Sequence, residues 1–124
     1  MKKNLFVLFV FSLIHISQAP LLKSQKAKFG HLSVDHGLSQ NTVGSIVQDQ
    51  YGFMWFGTGD GLNRYDGYSF RIFKNDPRDS NSISSNYLYC LYLDNDSMLW
   101  IGLGNGILDR FNLKTNQFTH FYLP

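Results

Sequence analysis

Short apolar runs broken by turn residues fill the chain from residue 37 onward. Val43–Val47 runs into Asp49-Gln50-Tyr51-Gly52, and Phe53–Phe56 runs into Gly57-Thr58-Gly59-Asp60-Gly61. Leu62–Tyr65 then meets Asp66-Gly67, and Tyr68–Phe73 follows. Asp-Gly pairs favour positive φ and suit tight hairpins. Glycine is frequent, and no segment keeps a 3.6-residue apolar stripe for ten residues, which argues against paired helices. The pattern predicts an all-β chain of short antiparallel strands.

The pattern occurs twice. Trp55-Phe56-Gly57-Thr58-Gly59-Asp60-Gly61 is answered 45 positions later by Trp100-Ile101-Gly102-Leu103-Gly104-Asn105-Gly106. Between 38–62 and 83–107 seven of 25 positions are identical: Ser39/Ser84, Asn41/Asn86, Asp49/Asp94, Trp55/Trp100, Gly57/Gly102, Gly59/Gly104 and Gly61/Gly106. Self-similarity at this period marks a repeat architecture. Four strands per copy, joined by tight turns, make a four-stranded antiparallel meander, which is one blade of a β-propeller. Trp55 and Trp100 are expected to anchor the blades through burial of their rings. That burial is worth roughly 4–6 kcal/mol as an upper bound. Gly57, Gly61, Gly102 and Gly106 are expected to allow sharp turns and close blade packing.

Gly37-Leu38-Ser39-Gln40-Asn41, then Trp55-Phe56-Gly57-Thr58 and Gly61-Leu62-Asn63-Arg64-Tyr65-Asp66-Gly67, resemble the two-component regulator propeller repeat. The resemblance covers about residues 29–124. Its first copy matches closely. The second departs at Leu103, where Thr is usual, and at Leu108-Asp109, where one residue is inserted. This repeat builds the periplasmic sensor region of bacterial hybrid two-component regulators, best represented in Bacteroidetes. The resemblance implies recognition of an extracellular carbohydrate or its breakdown product. The signal would then pass through a membrane helix to a histidine kinase and a DNA-binding output. No such signalling part stands in these residues, so no enzyme activity is expected of the chain itself; histidine kinase activity belongs to the parent protein. A secreted propeller lyase or hydrolase, and a structural or protein-interaction propeller, are the alternative readings.

The chain has 124 residues, room for one small domain. Met1–Asn4 is basic and Leu5–Ile16 is an apolar core of 12 residues, the form of a secretory signal peptide. It is shorter than the ~20 residues that cross a bilayer comfortably. Ser17-Gln18-Ala19 has the small-residue pattern of a cleavage site, but Pro20 after it hinders cleavage, and Ala27 is the alternative. The organisation read from the sequence is therefore signal peptide and lead at 1–27, an orphan strand at 28–36, blade 1 at 37–75 and blade 2 at 76–124. The orphan strand rests on Phe29-Gly30-His31-Leu32, which matches Phe70-Arg71-Ile72-Phe73 and Phe118-Thr119-His120-Phe121 as a fourth strand. It is expected to close the last blade of a ring. Two blades cannot close a ring of about 4–8 and would leave apolar edges open. An incomplete propeller is thus expected: the N-terminal piece of a longer, exported, periplasmic protein, with the remaining blades as its partners. A homodimer of the full-length parent is a further partner this reading allows, and a self-assembling oligomer of two-blade units is its rival.

The formal charge of +2 hides a division. Five lysines lie in the first 28 residues, whereas residues 29–124 carry six Lys or Arg against nine Asp and no Glu, a formal −3. With no basic stripe, nucleic-acid binding by this segment is not expected. Gly57-Thr58-Gly59-Asp60-Gly61 leads into a strand and lacks the Lys-Ser/Thr of a phosphate loop. Asp94-Asn95-Asp96-Ser97 begins like a calcium loop, but Leu99 and Asn105 replace the required Gly and Glu, so a hairpin turn is the better reading. His31, His36 and His120 show no metal spacing. Neither cofactor nor metal is expected, and no nucleophile elbow or paired-carboxylate arrangement stands out. Cys90, alone, reads as a small buried apolar residue.

What the pattern leaves is a recognition surface. In a meander, the segment leading into strand one and the turn between strands two and three share one end. Asn41 and Asp60 in blade 1, and Asn86 and Asn105 in blade 2, are the candidate ligand-binding residues there. Their carboxamides and carboxylate suit the hydroxyls of an oligosaccharide. The competing reading is that Ser39, Asn41 and their counterparts satisfy backbone groups in turns.

Overall fold

In the computed structural model, residues 30–104 and 106–124 are described; the signal-peptide reading and Asn105 lie outside them. Eight strands follow one another: β1 (Val43–Gln48), β2 (Met54–Thr58), β3 (Gly61–Tyr65), β4 (Phe70–Phe73), β5 (Leu88–Leu93), β6 (Met98–Leu103), β7 (Ile107–Asn112) and β8 (Gln117–Tyr122). They form two four-stranded sheets in the orders β1-β2-β3-β4 and β5-β6-β7-β8, with antiparallel pairing throughout. The chain thus forms two meander blades, as the repeat predicts. Period-two burial is clearest in β6, where Leu99, Ile101 and Leu103 point inward.

Each blade closes its first hairpin in the same way. The Asp49 carboxylate accepts the amides of Tyr51 and Phe53 at 2.9 and 3.0 Å and the Trp55 indole N–H at 2.8 Å. Asp94 repeats this with Asp96, Met98 and Trp100 at 2.9, 3.0 and 2.8 Å. One carboxylate therefore shapes the turn and fixes the rotamer of the Trp six residues on. Those indole and amide hydrogen bonds hold the Asp94 carboxyl below its ordinary value. They also make Asp94 the hairpin turn expected of it. The third turn relies on Asp66, which accepts Tyr68 and Ser69 amides at 2.8 Å, and on its counterpart Asn112.

The core lies between the blades. Trp55 is enclosed, packed on Phe73 of its own blade and on Phe111 of the next, with ring centroids 5.7 and 5.6 Å apart. Phe118 and the buried Leu62, Ile83, Leu88, Leu91, Leu99 and Ile101 complete the cluster. Gly57 sits where β2 meets β5: a Cβ there would lie 3.3 Å from Leu91 Cγ. Gly61 adopts φ +113°, and a Cβ would fall 2.8 Å from the Phe73 carbonyl oxygen, so only glycine fits. Backbone and side-chain bonds also stitch the blades together, Gly61 N to Asn86 O at 2.7 Å and Leu91 N to Ser45 Oγ at 3.0 Å.

Three sequence expectations change. Within the segment 28–36 read as a closing strand, Val34–His36 form a 3-10 turn ended by Gly37 at φ +101°, so any strand ends before Val34. Cys90 is exposed rather than buried, because it lies on the face of β5 that blade 1 does not cover. The residue inserted in the second repeat belongs to the β6–β7 turn. Gly57 pairs with Leu62, but Gly102 pairs with Leu108, so Asp109 takes the register of Asn63. Gly106, exposed in that longer turn, is therefore not the register partner of Gly61, but it too adopts a positive φ, +71°.

Candidate functional site

The segment leading into β1 and the β2–β3 turn do meet at one end. Gln40 Oε1 accepts the Gly59 amide at 2.9 Å, and Ser39 reaches across to Thr58 and Asn63. The linker between the blades comes to the same end, since Lys74 caps Asp60 at 2.8 Å and the Asn75 amide donates to Asn86 Oδ1 at 2.7 Å.

Of the sequence-derived candidates, Asn41, Asp60 and Asn86 are therefore together at this end, and each has a partner. Asn41 Oδ1 accepts the Val34 amide at 2.9 Å, and Asn86 Oδ1 does the same for Asn75. Each of these repeat Asn residues thus clamps the backbone that leads into its blade. Asp60 is half-exposed and paired with Lys74. The exposed carboxamide of Asn41 and the carboxylate of Asp60 still face solvent.

Behind them lies a buried polar network that differs between the blades. In blade 1, Asn63 is fully buried; its Oδ1 accepts the Ser39 amide at 2.9 Å and its Nδ2 donates to Ser39 Oγ at 2.8 Å. Opposite Asn63 on β4 stands Ile72. In blade 2 the same register holds Asp109, also fully buried, whose two oxygens take the Ser84 amide and hydroxyl at 2.7 and 2.8 Å. Opposite Asp109 stands His120, with Nδ1 2.7 Å from Asp109 Oδ1 and Nε2 3.0 Å from the Ser80 carbonyl oxygen. Desolvation works against protonation of His120, but the Asp109 hydrogen bond, the Ser80 carbonyl and the Asp109 charge outweigh it and raise its pKa above 6.5.

Ser84, His120 and Asp109 share the residue types of a hydrolytic triad without its arrangement. Ser84 Oγ and Asp109 Oδ1 both meet the same ring nitrogen, Nδ1, at 2.8 and 2.7 Å. A proton relay needs the nucleophile and the acid on opposite nitrogens; here the other nitrogen is spent on a backbone carbonyl. The cluster instead ties β7, β8 and the linker together. A cleft of about 290 Å³ opens beside it, lined by Asp76, Asp79, Ser80, Ser82 and His120.

Sequence reasoning gave Asn63 and Asp109 no role at the site and weighed His120 only as a metal ligand. The identical Ser39/Ser84 pair was the available signal, because its partners are a polar residue in each third strand. It also passed over Tyr87 and Tyr89, which line a second cleft between the blades. Those tyrosines had no signal in the repeat, where their counterparts are Thr42 and Gly44.

With this geometry in view, the likenesses to known proteins are informative. The two component regulator propeller family model matches residues 37–60 and 82–105, the segments that lead into each blade and run through its second strand. The chain carries two-component regulator propeller repeats. Histidine kinase P4 of Formosa agariphila is 45% identical over 83 residues, 65% of this chain and 6% of that protein. The extracellular domain of the hybrid two-component system BT3049 from B. thetaiotaomicron superposes with a TM-score of 0.68 at 38% identity, over 73% of this chain and 13% of that one. The extracellular domain of the one-component system BT4673 from the same organism gives 0.59 at 25% identity, over 79% of this chain and 14% of that one. The chain thus spans a small part of the proteins it matches.

Proposed function

We propose that this chain is part of the sensing propeller of an exported two-component regulator, and that the regulator recognises carbohydrate in the periplasm. The supporting observation is the pairing of two regulator-propeller repeats, in sequence and in structure, with the same blade geometry as extracellular domains of two-component systems. Ligand binds at the end of the propeller that carries Asn41, Asp60 and Asn86, with Asn105 as a further candidate from the repeat. Exposed amide and carboxylate groups there offer hydrogen bonds to hydroxyls without a strong net field. Kinase and DNA-binding steps belong to other parts of the regulator, and the further blades pack on this one. The full-length regulator works as a homodimer.

The test is calorimetric titration of the complete natural polypeptide with oligosaccharides, wild type against Asn41→Ala. Weaker binding with the fold intact is the expected result. Equal affinity would reject Asn41 as a ligand contact, and binding only to non-carbohydrate ligands would reject the carbohydrate reading.

A further inference from the structure

The innermost strands of both blades carry a β-bulge at the same register. The pairing of β1 with β2 shifts between Val43 and Ser45, and that of β5 with β6 shifts between Leu88 and Cys90. The residues standing in the two bulges are Gly44 and Tyr89. A bulge breaks the alternation of a strand and re-aims the side chain it carries. Both bulged residues line one cleft of about 330 Å³ between the blades, together with Gln40, Thr42, Gly59 and Tyr87. This is within the size range of small-ligand sites, which join aromatic walls to a few fixed polar groups.

The walls have a specific chemistry. Tyr87 and Tyr89 are 55% and 61% exposed, and their rings meet edge to face with centroids 5.1 Å apart. Both rings stand at the wall of this concave surface. Gln40 is held by one end only: Oε1 takes the Gly59 amide at 2.9 Å, and its Nε2 has no partner among the described residues. Gly59 and Gly44 form an open floor; a Cβ on Gly59 would fall 2.6 Å from Gln40 Oε1 and 3.3 Å from Tyr87. None of the lining residues carries a charge.

From this lining we infer that the inter-blade cleft is a sugar-ring subsite, in which Tyr87 and Tyr89 take the C–H face of a neutral pyranose and Gln40 Nε2 with the Thr42 hydroxyl binds its hydroxyl groups. The inference rests on the carbohydrate reading above and moves the main contacts inward from Asn41 and Asp60 to the lip between the blades. An anionic ligand would find no counter-charge there, and a purely apolar one would strand the Gln40 amide. Blade 1 has Thr42 and Gly44 where blade 2 has Tyr87 and Tyr89, so the larger blade-2 side chains fill the groove that the smaller blade-1 residues leave open.

The experiment uses the complete natural polypeptide and calorimetry with six hexasaccharides: cello-, xylo-, manno- and laminarihexaose as neutral probes, hexagalacturonate and hexamannuronate as anionic ones. Expected are binding of at least one neutral probe and a weakening of about tenfold in Tyr87→Ala and in Tyr89→Ala. Gln40→Leu, which leaves both rings in place, is expected to weaken the same probe severalfold. Melting temperatures should stay at the wild-type value, because both rings are already more than half exposed. Should either tyrosine variant fail to fold, Gln40→Leu and Gly59→Ala carry the test alone. Binding of a neutral probe with unchanged affinity in these variants overturns the cleft and leaves the carbohydrate reading standing. Binding of the anionic probes alone does the same. No binding of any probe overturns both.

Discussion

The two blades share a plan and differ in what surrounds it. In blade 1 the Trp is enclosed, pressed between Phe73 and the Phe111 of blade 2. In blade 2 the same Trp, with the same Asp partner, is only partly buried and stacks on Phe121 of its own blade at 5.7 Å with Arg110 alongside. The hydrogen bond to Asp is therefore an internal property of the repeat, whereas burial is a property of the neighbour. A blade folds its turn and sets its Trp rotamer locally, and packing between blades supplies the hydrophobic energy. The second difference is electrical. Behind the end where Asn41, Asp60 and Asn86 gather, blade 1 uses a neutral Asn63 facing Ile72, and blade 2 uses Asp109 facing His120. Both satisfy the Ser that follows a buried apolar residue, Leu38 or Ile83, one with an amide and one with a carboxylate paired to an imidazole. In blade 2 the imidazole on the adjacent strand compensates the buried carboxylate, and the linker carbonyl holds that ring in place.

The sharpest test of the first difference is the pair of Trp truncations. Trp55→Ala should cost about 3–5 kcal/mol in a urea melt, and Trp100→Ala in the same chain less than half of that; equal losses would show that burial by a neighbour is not what separates the blades. For the second difference, Asn63→Asp places a carboxylate in a fully buried site opposite Ile72. We expect a loss approaching 3–5 kcal/mol, about the cost of an uncompensated buried charge. Ile72→His in the same background should restore part of it, and no rescue would mean that the cross-strand pair is not the compensating element. Asp49→Ala should come next, at about 2–3 kcal/mol, because it leaves the Trp55 indole and two turn amides without their acceptor. Its counterpart Asp94→Ala should cost less by the same melt.

The pH dependence separates the blades with a smaller effect. Since the folded His120 pKa is raised above 6.5, its contribution to stability is complete below pH about 6.5 and disappears as pH rises through the folded value. Urea midpoints measured from pH 5 to 9 should fall across that window, and His120→Gln should flatten the fall. Asp94 acts with the opposite sign: its lowered pKa gives stability that is present above 3.8 and lost as pH falls below it. Smallest of all, Lys74→Ala should change stability by less than about 1 kcal/mol, because both partners of the Lys74–Asp60 bridge are more than two-fifths exposed to water.

Much of this molecule was legible in its sequence because a repeat repeats its local physics. Strand runs, turn residues, the 45-residue period and the Asp-to-Trp spacing are short-range facts, and each one reappears in the structure within a residue or two. The shared end of the blades was legible too, since a meander fixes which turns lie together. Within that end, Asn41 and Asn86 were legible as residues of interest but not as clamps on Val34 and Asn75, because those partners depend on where the incoming chain passes. The insertion was visible as a count, yet only strand pairing placed it in the β6–β7 turn and brought Asp109 into the register of Asn63.

By itself the sequence determined that this chain is all-β, that it is built from two copies of one meander, and which residues shape the turns. Those are outcomes of backbone preference and of hydrogen bonds spanning a few residues. Tertiary structure alone decided that Trp55 is enclosed while Trp100 is not, that Asp109 meets His120, and that Tyr87, Tyr89 and Gln40 frame one cleft. Such pairings join residues from different strands and different blades. They depend on bulge positions, register and the approach of one sheet to another, and none of these leaves a periodic trace in the order of the amino acids.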